Sequence, residues 1–231
     1  MQLQKLLNKS SLSSTVDKIN EIYFVKKSFS EYNVDETVKW ILSRYDTKYS
    51  YNKSFGLTEQ DMNSKLRTFT GEVLNSPASN RHIHAEEASR ALNILKKYTS
   101  LKMPELEKSE LDFLKIFKAN EKAGKPEGTF CCGPCTVSLL RNMSAGGLGA
   151  YSKKLNKGYS VLQTFRKGNG EWSRFPFYYT LSVLYETYKL PNAGKEIEYA
   201  YDQCIKKIKR LKGIDKYAER KHELLKRIIE L

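Results

Sequence analysis

An all-α fold, a single domain of stacked or bundled helical pairs over residues 1–231, is what this sequence predicts, on three grounds. Apolar residues recur at steps of three and four along most of the chain, the period of one helix face. Ser, Thr, Asn, Asp or Pro stands just ahead of those stripes, where a helix N-terminus needs an acceptor or tolerates a missing N–H. Only the segment from Phe175 to Tyr185 is rich enough in aromatic and β-prone residues to be read as a strand, and it follows a turn and a proline, so helix is preferred there too.

The first helix follows a polar lead-in, where Ser14 and Asp17 resemble a capping box and Val16, Ile19 and Tyr23 share one face. Asn33 or Asp35 caps the second, whose stripe is Val38, Ile41, Leu42 and Tyr45. Thr58 opens a third, with Leu57 as a hydrophobic staple and Met62, Leu66, Phe69 and Val73 at helical spacing. The fourth starts at Ser79 or Asn80 and aligns Ala85, Ala88, Leu92 and Leu95, with His84 toward that side and His82, Glu86 and Arg90 on the polar side.

Pro104 sits in the first turn of a fifth helix carrying Leu111, Leu114 and Phe117. The Gly- and Lys-rich stretch 119–130 reads as a surface linker or sub-boundary. Gly133 and Pro134 then begin a helix with Val137, Leu140 and Met143, which Gly146 and Gly147 end. Further helices are marked by Leu155, Tyr159 and Leu162, by the run after Pro176, and by Ile197, Ala200, Cys204, Ile208 and Leu211. A last one, from about Asp215, carries Leu224, Leu225, Ile228 and Ile229.

Hydrophobic residues make up 40% and charged residues 29%, a balance that excludes global disorder. No apolar run approaches the roughly 20 residues that span a bilayer, and the N-terminal stretch lacks a signal-peptide core, so no membrane span and a cytoplasmic location are expected. In that compartment the four cysteines are expected as free thiols, metal ligands or a redox pair rather than disulfides. The net charge of +14 attracts phosphates and other polyanions at long range without conferring specificity.

Three of the four cysteines cluster in Phe130-Cys131-Cys132-Gly133-Pro134-Cys135-Thr136. The unit Cys132-Gly133-Pro134-Cys135 resembles the redox motif of thioredoxins, which implies Cys132 as nucleophile and Cys135 as resolving thiol. The physical basis is sound, because a thiol at a helix N-terminus faces unpaired amides and the positive end of the dipole. A thioredoxin fold would require a hydrophobic strand before the motif, where this chain has Asn120-Glu121-Lys122-Ala123-Gly124-Lys125-Pro126, and Cys131 stands in place of the expected tryptophan.

A metal reading takes Cys131, Cys132 and Cys135 as thiolates within one turn, with His82 and Glu86, four residues apart, completing a zinc or iron site. His82 and His84 could share one ion only if the helix began after both of them. The bland alternative is that the thiols are small apolar groups packed at a helix start, as Cys204 is on its own apolar stripe. His222 reads as a surface residue.

Gly168-Asn169-Gly170-Glu171-Trp172, followed by Phe175-Pro176-Phe177-Tyr178-Tyr179-Thr180-Leu181, resembles the Gly-Trp turn and following helix of the α/α-toroid repeats in terpene cyclases and prenyltransferases. The likeness spans residues 158–184. It implies paired helices and no catalysis, since the aspartate-rich motifs of those enzymes are absent. Arg166, Lys167 and Arg174 surround the turn, and Lys206, Lys207, Lys209 and Arg210 lie in a C-terminal segment with ten basic against four acidic residues from Ile205 to Leu231. Together they are the candidate contacts to nucleic acid or phosphate. The functional expectation is a cytosolic module with a thiol or metal site at a helix N-terminus. The alternatives are a nucleic-acid-binding protein, a thiol-disulfide oxidoreductase, and an interaction module with inert cysteines.

Overall fold

The computed structural model describes residues 3–26, 28–126, 128–149 and 152–231. Among them are ten α-helices and no strand. No helix is long and apolar enough to cross a membrane.

Helix α1 (Leu12–Val25) is capped by Ser11, whose hydroxyl accepts from the Ser14 amide, so the cap lies three residues before the expected one. Asn33 caps α2 (Val34–Leu42), and Tyr45 falls beyond its end. Thr58 and Asp61 form a reciprocal capping box at α3, but that helix is one turn only (Glu59–Met62). The expected continuation through Leu66, Phe69 and Val73 is instead an irregular hairpin closed by Leu74 N–H to Leu66 O and Thr68 N–H to Glu72 O. Its turn needs Gly71 at φ 96°, and the Thr68 and Thr70 hydroxyls both donate to the Glu72 carboxylate. Short polar side chains that bond their own backbone region compete with helix, and here they outweigh the apolar period.

Helix α4 (Pro77–Leu95) begins earlier than expected, with Ser76 as cap and Pro77 in its first turn. It is the central element. Leu95, Leu92, Ala91 and Ala88 belong to one apolar core with α1, α2 and the start of α5 (Pro104–Lys122). Ile83 and Ala85 belong to a second core, with α6 (Gly133–Ser144), α7 (Ser152–Gln163), α8 (Phe177–Glu186), α9 (Pro191–Arg210) and α10 (Lys216–Ile229). The side read as polar is therefore buried as well: His82, Glu86 and Arg90 are each at most 1% exposed.

The expected linker 119–130 starts later, because α5 runs through Lys122. Its end is docked rather than loose. A side chain on Gly128 would lie 2.4 Å from the Gly158 amide, so two glycines let this segment rest directly on α7. The ambiguous segment after Pro176 is helical in α8, with Tyr179, Leu181, Val183 and Leu184 fully buried. Cys204 is buried on the apolar stripe of α9, and His222 is exposed on α10.

Polar groups are buried between the two cores. Glu87 accepts from Arg141 Nε at 2.7 Å and from the Tyr179 hydroxyl at 2.5 Å, while Arg90 pairs with Glu186 at 2.7 Å. Asn20 bridges the two arginines, accepting from Arg90 Nε at 2.8 Å and from Arg141 Nη2 at 3.2 Å. The chain ends are tied by Arg220 to Asp17 at 2.6 Å and by Arg227 to the Phe24 carbonyl at 2.6 Å.

Candidate metal centre

Helix α6 starts where Cys132 adopts extended geometry as N-cap and Gly133 and Pro134 form the first turn. Thr136 fastens the approach: its hydroxyl accepts from the Phe130 amide at 3.0 Å and donates to the Cys132 carbonyl at 2.7 Å. The Arg174 carbonyl lies directly over Gly133, where a Cβ would sit 1.9 Å from that oxygen. Only glycine fits there. Arg174 itself is held at φ 68°, a strained conformation for a residue with a side chain.

Cys131 and Cys132 face solvent, whereas Cys135 is buried in the first turn of α6. His82, on α4, meets the cluster from below, and one ligand atom each of His82, Cys131 and Cys135 falls within 4.8 Å of the others. The imidazole is 1% exposed and packs among aromatic rings. It stacks on Tyr51 at 4.4 Å and lies 4.2 Å from Phe130, with Phe113 at 5.8 Å. Neither of its nitrogens has a hydrogen-bond partner among the described residues. Its Nε2 lies 3.7 Å from Glu86 Oε1, an oxygen that also has no hydrogen-bond partner, while Glu86 Oε2 accepts from Asn142 Nδ2 at 2.8 Å.

The three thiols are electrostatically one group. Hydrogen bonds from Cys131 and then Cys135 draw the Cys132 thiol well below the ordinary range, assisted by the Cys135 amide and by His82. The same hydrogen bonds raise Cys135, and its burial adds to this. Of the three thiols, Cys132, at the helix N-terminus, is the one drawn down. A cleft of about 280 Å³ opens on Cys131 and Cys132, walled by Phe130, Val161, Phe165 and Phe175, with Lys125 and Arg174 as cations on its lining.

Of the residues expected at a metal site, the structure gathers His82, Cys131 and Cys135, with Cys132 hydrogen-bonded to both thiols. Glu86 is close to His82 but outside the ligand set. His84 is elsewhere, because both histidines lie inside α4 and point apart. It is a hydrogen-bonded buried histidine, with Nδ1 2.9 Å from the Asn80 carbonyl and Nε2 3.0 Å from the Ser13 hydroxyl. Arg166 pairs with Glu196 at 2.8 Å, and Glu171 neutralises both Lys167 at 3.3 Å and Lys207 at 2.8 Å. Arg174 faces the thiol cleft, Lys206, Lys207 and Arg210 border a depression beside Tyr178, and Lys209 is exposed.

Sequence reasoning missed the aromatic cage of Tyr51, Phe113 and Phe130. Phe130, adjacent to the thiols, was its one visible sign. Trp172 does fold inward at the Gly-Trp turn, donating its indole N–H to Glu196 at 2.7 Å.

Burial sets a pH response at His84. Desolvation lowers its pKa below the ordinary 6.5, against the attraction of Asp61, Glu87 and Asp17. The unfolded chain therefore binds this proton at a higher pH than the folded one. The stabilisation is complete above about 6.5 and is lost as pH falls below it. Asp17 and Glu87, whose carboxyls are lowered, act in a separate window below their ordinary 3.8 and 4.5. The denaturation midpoint should drop between pH 7 and 5.5, and His84→Gln should flatten that drop. An unchanged slope in the variant would assign it to another group.

No family model, no curated protein and no solved structure matches the chain.

Proposed function

We propose that this chain is a metal-binding protein that holds one thiophilic ion through His82, Cys131 and Cys135, with Cys132 as the fourth donor. The observation that carries this reading is His82: a fully buried imidazole whose two nitrogens have no partner among the described residues, beside the thiols of Cys131 and Cys135. Leaving a buried polar group unsatisfied costs about 1–3 kcal/mol, and a metal bond to one nitrogen removes that cost. Glu86 supports the reading, since ligating histidines commonly give their other N–H to a carboxylate, and Glu86 Oε1 faces Nε2 without another partner.

A sulfur-rich set with one imidazole suits tetrahedral zinc best, and iron second. Bound there by four donors of this chain, zinc would have a closed shell and would supply a structural link between α4 and the start of α6. His82 and Cys135 would be the buried donors, and Cys131 and Cys132 the solvent-facing ones. Free thiols and thiolate ligands both fit a reducing compartment, and we place the protein in the cytoplasm on that ground.

The test is elemental mass spectrometry of untagged protein purified without chelator, with a Cys131→Ser/Cys135→Ser variant in parallel. About one zinc or iron per chain, lost in the variant, is the expected result. Metal-free native protein that takes up none on addition of zinc would overturn the reading. The lowered, exposed Cys132 thiol favours a second one, a Cys132–Cys135 redox pair, which native-state alkylation at Cys132 many times faster than at Cys135 would support.

A further inference from the structure

The opposite side of α4 carries a second constellation that the metal reading does not use. Ser13 occupies the second position of α1 and lines a polar cleft of about 210 Å³, together with Asp61, Lys65, Arg67, Thr68 and Tyr217. Its hydroxyl lies 3.0 Å from His84 Nε2. The tautomer follows from the other nitrogen. Nδ1 is 2.9 Å from the Asn80 carbonyl, which can only accept, so Nδ1 carries the hydrogen. In the neutral ring that burial favours, Nε2 then offers a lone pair, and the Ser13 O–H donates to it. This is a hydroxyl, a base and a group orienting the base, in the order that activates a serine.

The start of α1 adds a donor. The Leu12 amide is taken by Asp61 at 2.9 Å and the Ser14 amide by Ser11 at 2.9 Å, whereas the Ser13 amide has no acceptor among the described residues. A free first-turn N–H on the nucleophile itself, reinforced by the dipole of a 14-residue helix, suits an oxyanion.

The carboxylates on the cleft are all engaged. Asp61 accepts from Ser11 and Leu12, Asp17 is paired with Lys216 and Arg220, and Glu87 with Arg141. Arg67 is held by the Gly71 carbonyl at 2.7 Å with its charge uncompensated, and Lys65 is exposed. Asp61 meets only neutral donors and keeps its charge, so Arg67 and Lys65 together leave the cleft an excess of one positive charge.

We propose that Ser13 and His84 form a nucleophile–base pair that hydrolyses small carboxylic esters bearing an anionic group. Ser13 Oγ bonds to the ester carbonyl carbon as its proton passes to His84 Nε2. The bond from that carbon to the alcohol oxygen then breaks, and Nε2 returns the proton to the leaving alcohol. Water attacks the acyl-serine, gives one proton to Nε2, and the Ser13 oxygen leaves with it, so that ester and water become acid and alcohol.

The test is labelling of the full chain with an alkyl fluorophosphonate, which loses fluoride to an activated serine, followed by peptide mass spectrometry. An adduct on Ser13 is expected, absent in Ser13→Ala, retained in Ser14→Ala, and formed about 100-fold more slowly in His84→Gln. Hydrolysis of the 4-nitrophenyl monoester of succinate should fall in parallel. Circular dichroism fixes which variants are folded, and the wild type and Ser14→Ala decide the matter if His84→Gln is not. An adduct on other residues only, none in the folded wild type, or undiminished Ser13 labelling in folded His84→Gln overturns the proposal.

Discussion

Arg141→Met should lower the stability of the folded chain by about 3–5 kcal/mol, the range for removing one partner of a buried ion pair. Arg141 is 1% exposed and each part of its guanidinium is engaged, by Glu87, Ser182 and Asn20. The Glu87 charge raises its pKa against desolvation, and Arg141 in turn holds the Glu87 carboxyl low. Methionine fills much of the volume but leaves Glu87 as a buried anion supported only by Arg90 3.9 Å away, the Tyr179 hydroxyl and the Asn20 amide, which donates at 3.0 Å. Removing both charges, in Glu87→Gln/Arg141→Met, should cost less than the sum of the single changes, because neither partner is then stranded. Urea denaturation measures all three proteins. A loss for Arg141→Met under about 0.5 kcal/mol, the level of an ordinary surface change, would show that the pair contributes little.

Metal-linked stability should show the second large effect. Zinc added to metal-free protein at a thousandfold excess over its dissociation constant stabilises the fold by about 4 kcal/mol. For a chain of this size that amounts to a rise in Tm on the order of 10 °C. His82→Ala should abolish the rise while leaving the unliganded protein close to the wild type in stability, because the lost aromatic packing is offset by the removal of two orphaned nitrogens. A rise retained in His82→Ala would place the metal on the thiols alone, and an absent rise in the wild type would count against the site.

Much of the helical architecture was readable in the order of residues. Thr58, Asn33, Pro104 and Asp215 sit where helices begin, and Leu155, Tyr159 and Leu162 of α7, Ile197, Ala200 and Cys204 of α9 and Leu224, Leu225 and Ile228 of α10 are buried as their period requires, while Ile208, Leu211 and Ile229 are half-buried. Leu66 to Val73 misled because periodicity records spacing and is blind to Thr68, Thr70 and Gly71, which supply a turn with its own hydrogen bonds. The polar face of α4 misled for a different reason. A charged residue reads as exposed until its partners are known, and those of Arg90 and Glu87 lie 51 to 96 positions away, on α1, α6 and α8. His82 and the thiols were recognisable by donor type alone. Their approach to within 4.8 Å depends on the packing of α4 against α6, which no local pattern encodes.

The ties between the two ends of the chain bear on how the molecule comes to be made. Asp17 and Phe24 on α1 find their partners Arg220 and Arg227 some 203 residues later, on α10. While α1 is emerging from the ribosome, those partners do not yet exist, and contacts of such separation are slow to form. The early helices must therefore wait with Asp17 unpaired and part of their core uncovered, an interval in which a holding chaperone would find exposed apolar surface. Closure of α10 onto α1 is the step that ends it.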